Sequence, residues 1–381
     1  MSHKPDLFEP LTLKSVTLPN RVVISPMCQY SAEEGLANDW HFAHLAQFAL
    51  GGAGAVILEA TAVAPEGRIT HGDLGLWNDA QIVPLRRIAD FLASHGSVPA
   101  IQIGHAGRKG SAQRPWRGNL SLTGADAAYG DRPWQTVSAS PVPVSQDWHV
   151  PSELTEEQLE VLCTAFSETT RRALAAGFQM VELHAAHGYL LHQFLSPLSN
   201  FRTDRFGGSL ENRMRFPIAV GRAMRDAWPS ERPLLARISC VDGMDGGWTI
   251  EDSLVFARAL KEVGFDLIDC SSGGIAGAAT AARLPRELGF QVEMAEAIRN
   301  GADMPTMAVG LIIDPQMAEA IIRDGKADLV AIGREALHNP FWPRHAAQAL
   351  TEGRRDYTDW PDQYGWWLSR REAVLEKIGR G

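Results

Sequence analysis

Short runs of β-branched and aliphatic residues recur along the chain, with amphipathic segments of helical periodicity between them. The runs are apolar at consecutive positions and do not alternate with polar ones, which is typical of strands buried on both faces of a parallel sheet. Eight such runs occur, at 21–25, 55–59, 99–103, 180–184, 234–239, 266–271, 306–310 and 328–333. Helices are predicted between them at 79–95, 155–177, 251–263 and 314–324.

The alternation of strands with helices predicts an α/β protein, and eight strands match a (β/α)8 TIM barrel formed by one domain over residues 1–381. The competing architecture is an open, doubly wound sheet that binds a dinucleotide. That fold needs a glycine fingerprint between a strand and the next helix, whereas the sequence GGAGAV at 51–56 precedes its strand. A TIM barrel is therefore predicted.

Two segments depart from this alternation. The first, 110–152, follows the third strand and contains Trp116, Trp134 and Trp148 among many Gly, Pro, Asp and Ser residues. A connection this long is usually an active-site cover or a disordered linker, and its tryptophans argue against a linker. We predict a folded lid that can include a short hairpin. The second is an aromatic tail at 355–381, which we expect to dock on another surface.

The net charge, the absence of long apolar stretches and the cysteine spacing argue against several classes of partner and site. Lysine and arginine number 36 against 45 aspartate and glutamate, a formal net charge of −9, and the basic residues are scattered. Nucleic acid is not an expected partner, because it requires concentrated positive charge. No stretch has the length of a membrane span or the apolar core of a signal peptide, so a cytoplasmic location without membrane contact is predicted. The four cysteines are far apart, which favours neither a zinc site nor a disulfide framework.

The chemistry of a TIM barrel lies at the C-terminal ends of its strands. The polar, small and sulfur-containing residues at these ends are Ser25, Pro26, Met27, Cys28, Tyr30, Ala60, Gln102, His105, Lys109, His184, His187, Tyr189, Arg237, Gly274, Gly310, Gly333 and Arg334. Gly310 and Gly333 follow strands seven and eight, where barrels commonly bind phosphate and glycine lets the backbone approach an anion. Arg334 can donate a forked pair of hydrogen bonds, so a phosphorylated cofactor is inferred. The alternative is that both glycines only permit tight turns.

His184, His187 and Tyr189 follow strand four directly, in the sequence ELHAAHGYLLHQFLSP. The two histidines could bind the metal of a TIM-barrel hydrolase, but a third ligand is needed, and no metal-enzyme motif joins Asp242 or Asp269 to them. They could fill the core, although three polar aromatic groups are a costly choice for packing alone. A functional site without metal is favoured, and a metal-dependent hydrolase is the alternative.

Several longer motifs resemble the Old Yellow Enzyme family, and within it the bacterial thermophilic-like and xenobiotic-reductase branch. They are ISPMCQYSAEEG (24–35), DWHFAHL (39–45), EATAVAPEGRIT (59–70), IQIGHAGRKGSA (101–112), HAAHGYLLHQFLSPLSNFRTDRFGGSLENRMRF (184–216) and VAIGREAL (330–337). The resemblance implies a flavoenzyme that holds FMN non-covalently in a TIM barrel. It also implies a ping-pong reaction in which NADPH or NADH is the reductant and the activated C=C bond of an α,β-unsaturated carbonyl compound is reduced, with nitro compounds as a further substrate class.

The resemblance implies catalytic roles for three residues and substrate contacts for two more. His184 and His187 match the pair that hydrogen-bonds the substrate oxygen and stabilises developing enolate charge. Tyr189 matches the general acid that protonates the α carbon from the opposite face. Tyr30 and Cys28 match residues that line the substrate pocket.

Further positions match the flavin contacts and the subunit interface of the family. The flavin contacts are Ser25, Pro26, Met27, Cys28, Ala60, Gln102, Arg237, Gly274, Gly310, Gly333 and Arg334. Among them Arg237 matches the cation near flavin N1 and O2, and Lys109 resembles a lysine near the flavin edge. Trp367, or else Trp366, matches a C-terminal residue that enters the neighbouring subunit's site, which implies a homodimer or homotetramer.

Overall fold

A closed barrel of parallel strands forms the centre of the molecule. A computed structural model describes residues 4–277, 284–351 and 356–379. The strands in these ranges are β1 (Leu11–Leu13), β2 (Val16–Leu18), β3 (Val22–Ile24), β4 (Ala55–Ala62), β5 (Val98–Gly104), β6 (Val137–Ser138), β7 (Ser152–Glu153), β8 (Met180–Ala185), β9 (Leu234–Ser239), β10 (Leu267–Ser271), β11 (Thr306–Val309) and β12 (Leu329–Ile332). Eight of these described strands close the barrel in the order β3-β4-β5-β8-β9-β10-β11-β12. The predicted TIM barrel is confirmed, and all eight barrel strands overlap the predicted runs.

Helices surround the barrel. Within the described ranges they are α1 (Asp39–Leu50), α2 (Ile82–Ser94), α3 (Glu156–Ala175), α4 (Leu190–Leu195), α5 (Leu210–Ala227), α6 (Ile250–Val263), α7 (Val292–Ala302), α8 (Pro315–Arg323), α9 (Arg334–His338), α10 (Trp342–Leu350) and α11 (Asp362–Lys377). Local sequence sets their starts, as at α3, where the Thr155 hydroxyl accepts from the Gln158 N–H and the Gln158 side chain accepts from the Thr155 N–H. None of the helices in the described part of the chain is long and apolar enough to cross a membrane.

Burial on both faces explains the continuous apolar runs of the strands. On β8, Val181 and Leu183 belong to the core between barrel and helices, whereas Met180 faces the barrel interior. The antiparallel pair β1–β2 supplies Leu13 and Leu18 to that interior cluster. This hairpin therefore closes one end of the barrel, and the C-terminal ends of the strands are left for chemistry.

The segment 110–152 packs on the C-terminal side of the barrel. Its two short strands, β6 and β7, pair in parallel, and the short hairpin that was expected is represented only by an antiparallel bridge between Ala112 and Ser121. Trp148 is 8% exposed and packs in one cluster with Tyr189. The buried guanidinium of Arg202 donates to the carbonyls of Ala139 and Leu154, which holds the end of the segment against the barrel. A role as a lid stays a prediction.

The C-terminal tail forms α11 and contacts α10. Of the predicted tail at 355–381, positions 355, 380 and 381 lie outside the described residues. Trp360 stacks on Phe341, with ring centroids 5.5 Å apart and planes 12° from parallel. Trp366 and Trp367 are 50% and 67% exposed. The base of the tail therefore docks on its own chain, and the exposed tryptophans are turned toward solvent.

Candidate functional site

The loop between β8 and α4 places His184, His187 and Tyr189 at one end of the barrel. His184 is the penultimate position of β8, and the chain then turns sharply at His187 (φ 58°) and Gly188 (φ 72°). A Cβ on Gly188 would lie 2.2 Å from the carbonyl oxygen of Gly274, so only glycine fits. The loop after β8 is thus pressed against the loop after β10.

The rings of this motif form one edge-to-face cluster. The centroid of His184 lies 5.4 Å from that of His187 and 4.8 Å from that of Tyr189. Burial, reinforced by the charge of Arg237, holds the pKa of both histidines well below the ordinary value. Both rings are therefore neutral near pH 7, and each carries one N–H.

Hydrogen bonds orient the two histidine rings. Nδ1 of His184 accepts from the N–H of Ala186 at 3.3 Å, which leaves the ring proton on Nε2. Nε2 of His187 lies 2.6 Å from the hydroxyl of Ser271, and the backbone N–H of His187 donates to Ser239. The Nε2–H of His184 can thus donate to a ligand oxygen without adding positive charge, and the oriented ring of His187 lies next to it.

Tyr189 is buried beside the sulfur of Cys28. Burial, with the nearby Cys28 as the next contribution, raises the pKa of the phenol well above its ordinary value. The thiol pKa of Cys28 is likewise raised, by burial first and then by the carboxyl of Glu59. Both groups therefore keep their protons near pH 7, and Tyr189 retains a proton to donate.

The turn after β3 brings Cys28 and Tyr30 to the same region. The N–H of Gln29 donates to the carboxyl of Glu59 at 2.8 Å and so anchors the turn. Tyr30 has a left-handed backbone (φ 51°), and its ring meets Trp116 edge to face at 5.9 Å. Burial raises the pKa of the Tyr30 phenol.

Lys109 joins the loops after β8 and β10. Its ammonium donates to the carbonyl of His187 at 2.8 Å and also to that of Gly274. Burial, followed by the charge of Arg108, lowers its pKa to about 7. The sequence resemblance placed this lysine near a flavin edge, and the structure adds a brace between two loops.

A cavity of about 290 Å³ opens next to these loops. Sequence-predicted residues that line it are Ser25, Met27, His187, Arg237, Gly274, Gly310, Gly333 and Arg334. A Cβ on Gly333 would approach no protein atom more closely than 3.6 Å, so its absence leaves space that a bound group can fill. A Cβ on Gly310 would lie 3.0 Å from the ring of Phe290, and its φ of 126° also favours glycine.

A second, small cavity lies beside His184 and Tyr189 of the HAAHGY motif. Ala60, His184 and Tyr189 line it, together with the buried Asp73 and His105. Asp73 accepts from the N–H groups of Ile69 and Thr70, and burial raises its pKa to about 7. Sequence reasoning missed Asp73 because a single Asp in a turn usually has only a local role.

Polar groups also fill the barrel interior. Gln102 donates to Glu182 at 2.8 Å, and Arg237 forms a 3.2 Å ion pair with Asp269. The same guanidinium donates to the hydroxyl of Ser25 at 3.1 Å. Sequence reasoning missed Glu182, although a carboxylate inside an apolar strand run was the available signal.

Other predicted residues lie at the edges of this arrangement. Pro26 is half-buried in the turn after β3, and the Arg334 side chain is exposed at the start of α9. Trp366 and Trp367 line a separate groove on α11 and neither of the two cavities just described. Among the described residues, no group of three His, Cys, Asp or Glu side chains could hold a metal ion.

The chain is similar in sequence and in fold to known flavin oxidoreductases. The model of the NADH:flavin oxidoreductase / NADH oxidase family matches residues 6–353. An NADPH dehydrogenase of Bacillus subtilis is 44% identical over 346 residues, which cover 90% of this chain and 95% of that protein. Morphinone reductase in complex with tetrahydroNAD is 26% identical, with a TM-score of 0.73 and 91% of each chain covered. An old yellow enzyme homologue from Zymomonas mobilis, 24% identical, shares the fold with a TM-score of 0.75 over 91% of this chain and 93% of that one.

Proposed function

The chain belongs to the NADH:flavin oxidoreductase / NADH oxidase family, and we propose that it reduces the activated C=C bond of α,β-unsaturated carbonyl compounds by a ping-pong reaction with NADPH or NADH. One observation carries the proposal: two neutral histidines and a protonated tyrosine meet beside a cavity at the C-terminal end of the barrel. The complex of morphinone reductase with a nicotinamide analogue supports a nicotinamide as the reductant.

The residues that line the cavity suit the chemistry of FMN. The open space at Gly333 and the cation of Arg237, both on its wall, suit a flavin with a phosphate tail. Residues proposed to hold it are Ser25, Pro26, Met27, Cys28, Ala60, Gln102, Arg237, Gly274, Gly310, Gly333 and Arg334. The chemistry that FMN supplies when bound is the acceptance of a hydride from the nicotinamide and its delivery to the substrate.

The histidine pair polarises the substrate. Nε2–H of His184 is free to donate to a carbonyl or nitro oxygen, and the ring of His187 lies next to it. Negative charge grows on this oxygen as the β carbon accepts hydride, so the hydrogen bonds strengthen toward the transition state. Tyr30 and Cys28 would form the opposite wall of the pocket.

Tyr189 completes the reduction by proton transfer. Its phenol keeps its proton at neutral pH because burial raises its pKa. When negative charge spreads to the α carbon, the Tyr189 hydroxyl can donate that proton as a general acid. The edge-to-face contact with His184 fixes the ring for this role.

An anaerobic visible spectrum tests the proposal. The purified protein should show a flavin spectrum that bleaches with NADPH and returns when cyclohexenone is added. A flavin that bleaches but does not return with enones, maleimides or nitroalkenes would remove the substrate class. No flavin after incubation with FMN, with bound metal by elemental analysis, would favour the metal-dependent hydrolase built on His184 and His187.

The assembly is proposed as a homodimer or homotetramer in which Trp367 enters the neighbouring subunit's site. The 67% exposure of this tryptophan supports the idea, because an exposed Trp is available to a second copy. Light scattering of the wild type gives the oligomeric state. Trp367→Ala should raise KM for the enone, and an unchanged KM would contradict the role. A cytoplasmic location stays a prediction from the sequence.

A further inference from the structure

Two carboxyl groups and one guanidinium share the interior of the barrel below the large cavity. Glu182 lies on β8, Arg237 on β9 and Asp269 on β10, so three adjacent strands supply them. Glu182 and Asp269 are 0% exposed, and Arg237 is 8% exposed. Arg237 lines the cavity, whereas Glu182 precedes His184 by two positions on β8 and so lies one layer deeper.

The charges of this group do not balance unless a proton is shared. Arg237 faces Asp269 at 3.2 Å, and Gln102 donates to one oxygen of Glu182 at 2.8 Å. The other oxygen of Glu182 and both oxygens of Asp269 accept no hydrogen bond from the described residues. Two buried carboxylates against one guanidinium would leave an uncompensated negative charge, which is strongly unfavourable.

One proton held between the two carboxyls makes the group neutral. Burial, and then the charge of Asp269, raises the pKa of Glu182, and burial raises that of Asp269 as well. Groups next to the pair in the described structure include the uncharged Gln102, the neutral ring of His184 and the thiol of Cys270, which keeps its proton because burial raises its pKa. The proton is therefore retained at pH 7, and the positive charge of Arg237 is balanced.

We propose that Glu182 and Asp269 are positioning residues that hold one proton in common and set the net charge that Arg237 presents to the flavin. This inference rests on the proposed function, because it concerns the FMN in that site. Reduction of bound FMN by two electrons and one proton adds one negative charge near Arg237. A carboxyl pair that has lost its shared proton would take it up again to offset this charge, so that two protons then accompany the two electrons.

The proposal gives the reduction potential a specific dependence on pH. Below the pKa of the carboxyl pair, which burial raises, the pair is already protonated, and one proton accompanies two electrons. Above that pKa the second proton must be bound during reduction, so the midpoint potential depends on pH twice as steeply. At a fixed solution potential, each further pH unit should lower the ratio of reduced to oxidised flavin about tenfold more than the single-proton reaction does.

The experiment measures the midpoint potential of the FMN holoenzyme by anaerobic dye titration with dithionite, from about pH 6 to about pH 10. In the wild type the slope of the midpoint potential against pH should double within this range, at the raised pKa of the carboxyl pair, and this change of slope is called the break. In Glu182→Gln the slope of the midpoint potential against pH should correspond to one proton over the whole range. The new amide can accept from Gln102 and donate to Asp269, as a protonated carboxyl would. Asp269→Asn should also show the one-proton slope at every pH, without the break. The reason is that the positive charge of Arg237 balances the one remaining carboxylate.

Asp266→Asn is the matched control. It removes a carboxylate just before β10, where Asp266 pairs with Lys14 and Arg225 at the other end of the strand. This variant should keep the break. A single slope in the wild type, a break that survives Glu182→Gln, or a break lost in Asp266→Asn would each overturn the proposal.

Two controls keep the conclusions separate. If Glu182→Gln fails to fold or to hold flavin, Asp269→Asn and the wild-type slope still decide the outcome. If the wild type binds no flavin, its absorption spectrum shows this before any potential is measured, and the proposed function fails together with the inference. If flavin binds and enones are reduced but the slope is single, the inference alone fails.

Discussion

Nε2 of His187 lies 2.6 Å from the hydroxyl of Ser271, across the gap between the loop after β8 and the end of β10. The Ser271 hydroxyl is also 3.4 Å from the amide oxygen of Gln291. The orientation of His187 is therefore set by a neighbouring strand before any ligand binds. A ring that is oriented in advance, next to the free Nε2–H of His184, does not have to reorganise when an anionic oxygen binds there.

Removal of the Ser271 hydroxyl should leave the imidazole of His187 less firmly oriented. Ser271→Ala is expected to weaken the binding of a phenol, followed by the change in flavin absorbance, by about 3- to 10-fold, because a net hydrogen bond contributes about 1 kcal/mol. Ser272→Ala is the matched control, since its hydroxyl contacts Gln291 instead of His187. Equal weakening in both variants would assign the effect to the loop and not to the ring.

Tyr189→Phe should separate the two halves of the reaction. Reduction by NADPH is expected to stay nearly intact, while reoxidation by cyclohexenone slows about 100-fold or more, because a general acid contributes 10²–10⁴-fold. Stopped-flow absorbance resolves both steps. Tyr30→Phe, which removes a second phenol from the same region, should slow reoxidation far less. Similar losses in both half-reactions would assign Tyr189 to folding or binding.

The buried Lys109 should make stability depend on pH. Its pKa is about 7 in the folded protein against an ordinary value of 10.5. Between these values the unfolded chain binds a proton that the folded protein has lost, so the free energy of unfolding rises with pH, by up to about 5 kcal/mol at about 1.4 kcal/mol for each pKa unit.

Urea unfolding at several pH values tests this expectation. Lys109→Met should flatten the rise between about pH 7 and about pH 10. Lys261→Met, at a half-exposed lysine paired with Asp303, should keep the wild-type profile. A rise that persists unchanged in Lys109→Met would trace the pH dependence to other groups.

Gly188→Ala should destabilise the site more than its backbone conformation alone explains. The new Cβ would lie 2.2 Å from the carbonyl of Gly274, and the φ of 72° adds strain. Gly208→Ala is matched in φ (81°) but meets nothing within 4 Å, so it should cost only about 1–2 kcal/mol. Gly188→Ala should exceed this by at least about 2 kcal/mol in thermal or urea unfolding, and an equal cost would rule out the close contact.

The sequence was sufficient for the barrel because its strands are buried on both faces. Each barrel strand overlaps one of the mainly apolar runs, from Val22–Ile24 to Leu329–Ile332. The parallel pairing of β6 with β7 could not be predicted in this way. A parallel ladder joins segments whose contact depends on the path of the chain between them, and a local pattern favours a hairpin by default.

The buried groups inside the barrel were harder to predict from the sequence than the residues at the C-terminal ends of the strands. The HAAHGY motif brought His184, His187 and Tyr189 together by sequence proximity alone. The sequence showed Glu182 and Asp269 as single carboxylates in apolar runs, and Asp269 was weighed only as a metal ligand, because such a carboxylate is equally compatible with a solvent-facing strand end. Only the register of β8, β9 and β10 brings these two residues to the same guanidinium.

The long segment after β5 has two parts that differ in how much sequence change they tolerate. Arg202 anchors the second part, and the first part carries exposed aromatic residues. The bonds of Arg202 to Ala139 and Leu154 secure the second part to the barrel, whereas Trp116 and Tyr129 in the first part are 64% and 68% exposed. Exposed loops of this kind accept insertions and exchanges readily. The exposed stretches around Trp116 and Tyr129 are therefore positions through which new substrate ranges can evolve or be engineered while the catalytic barrel is inherited unchanged.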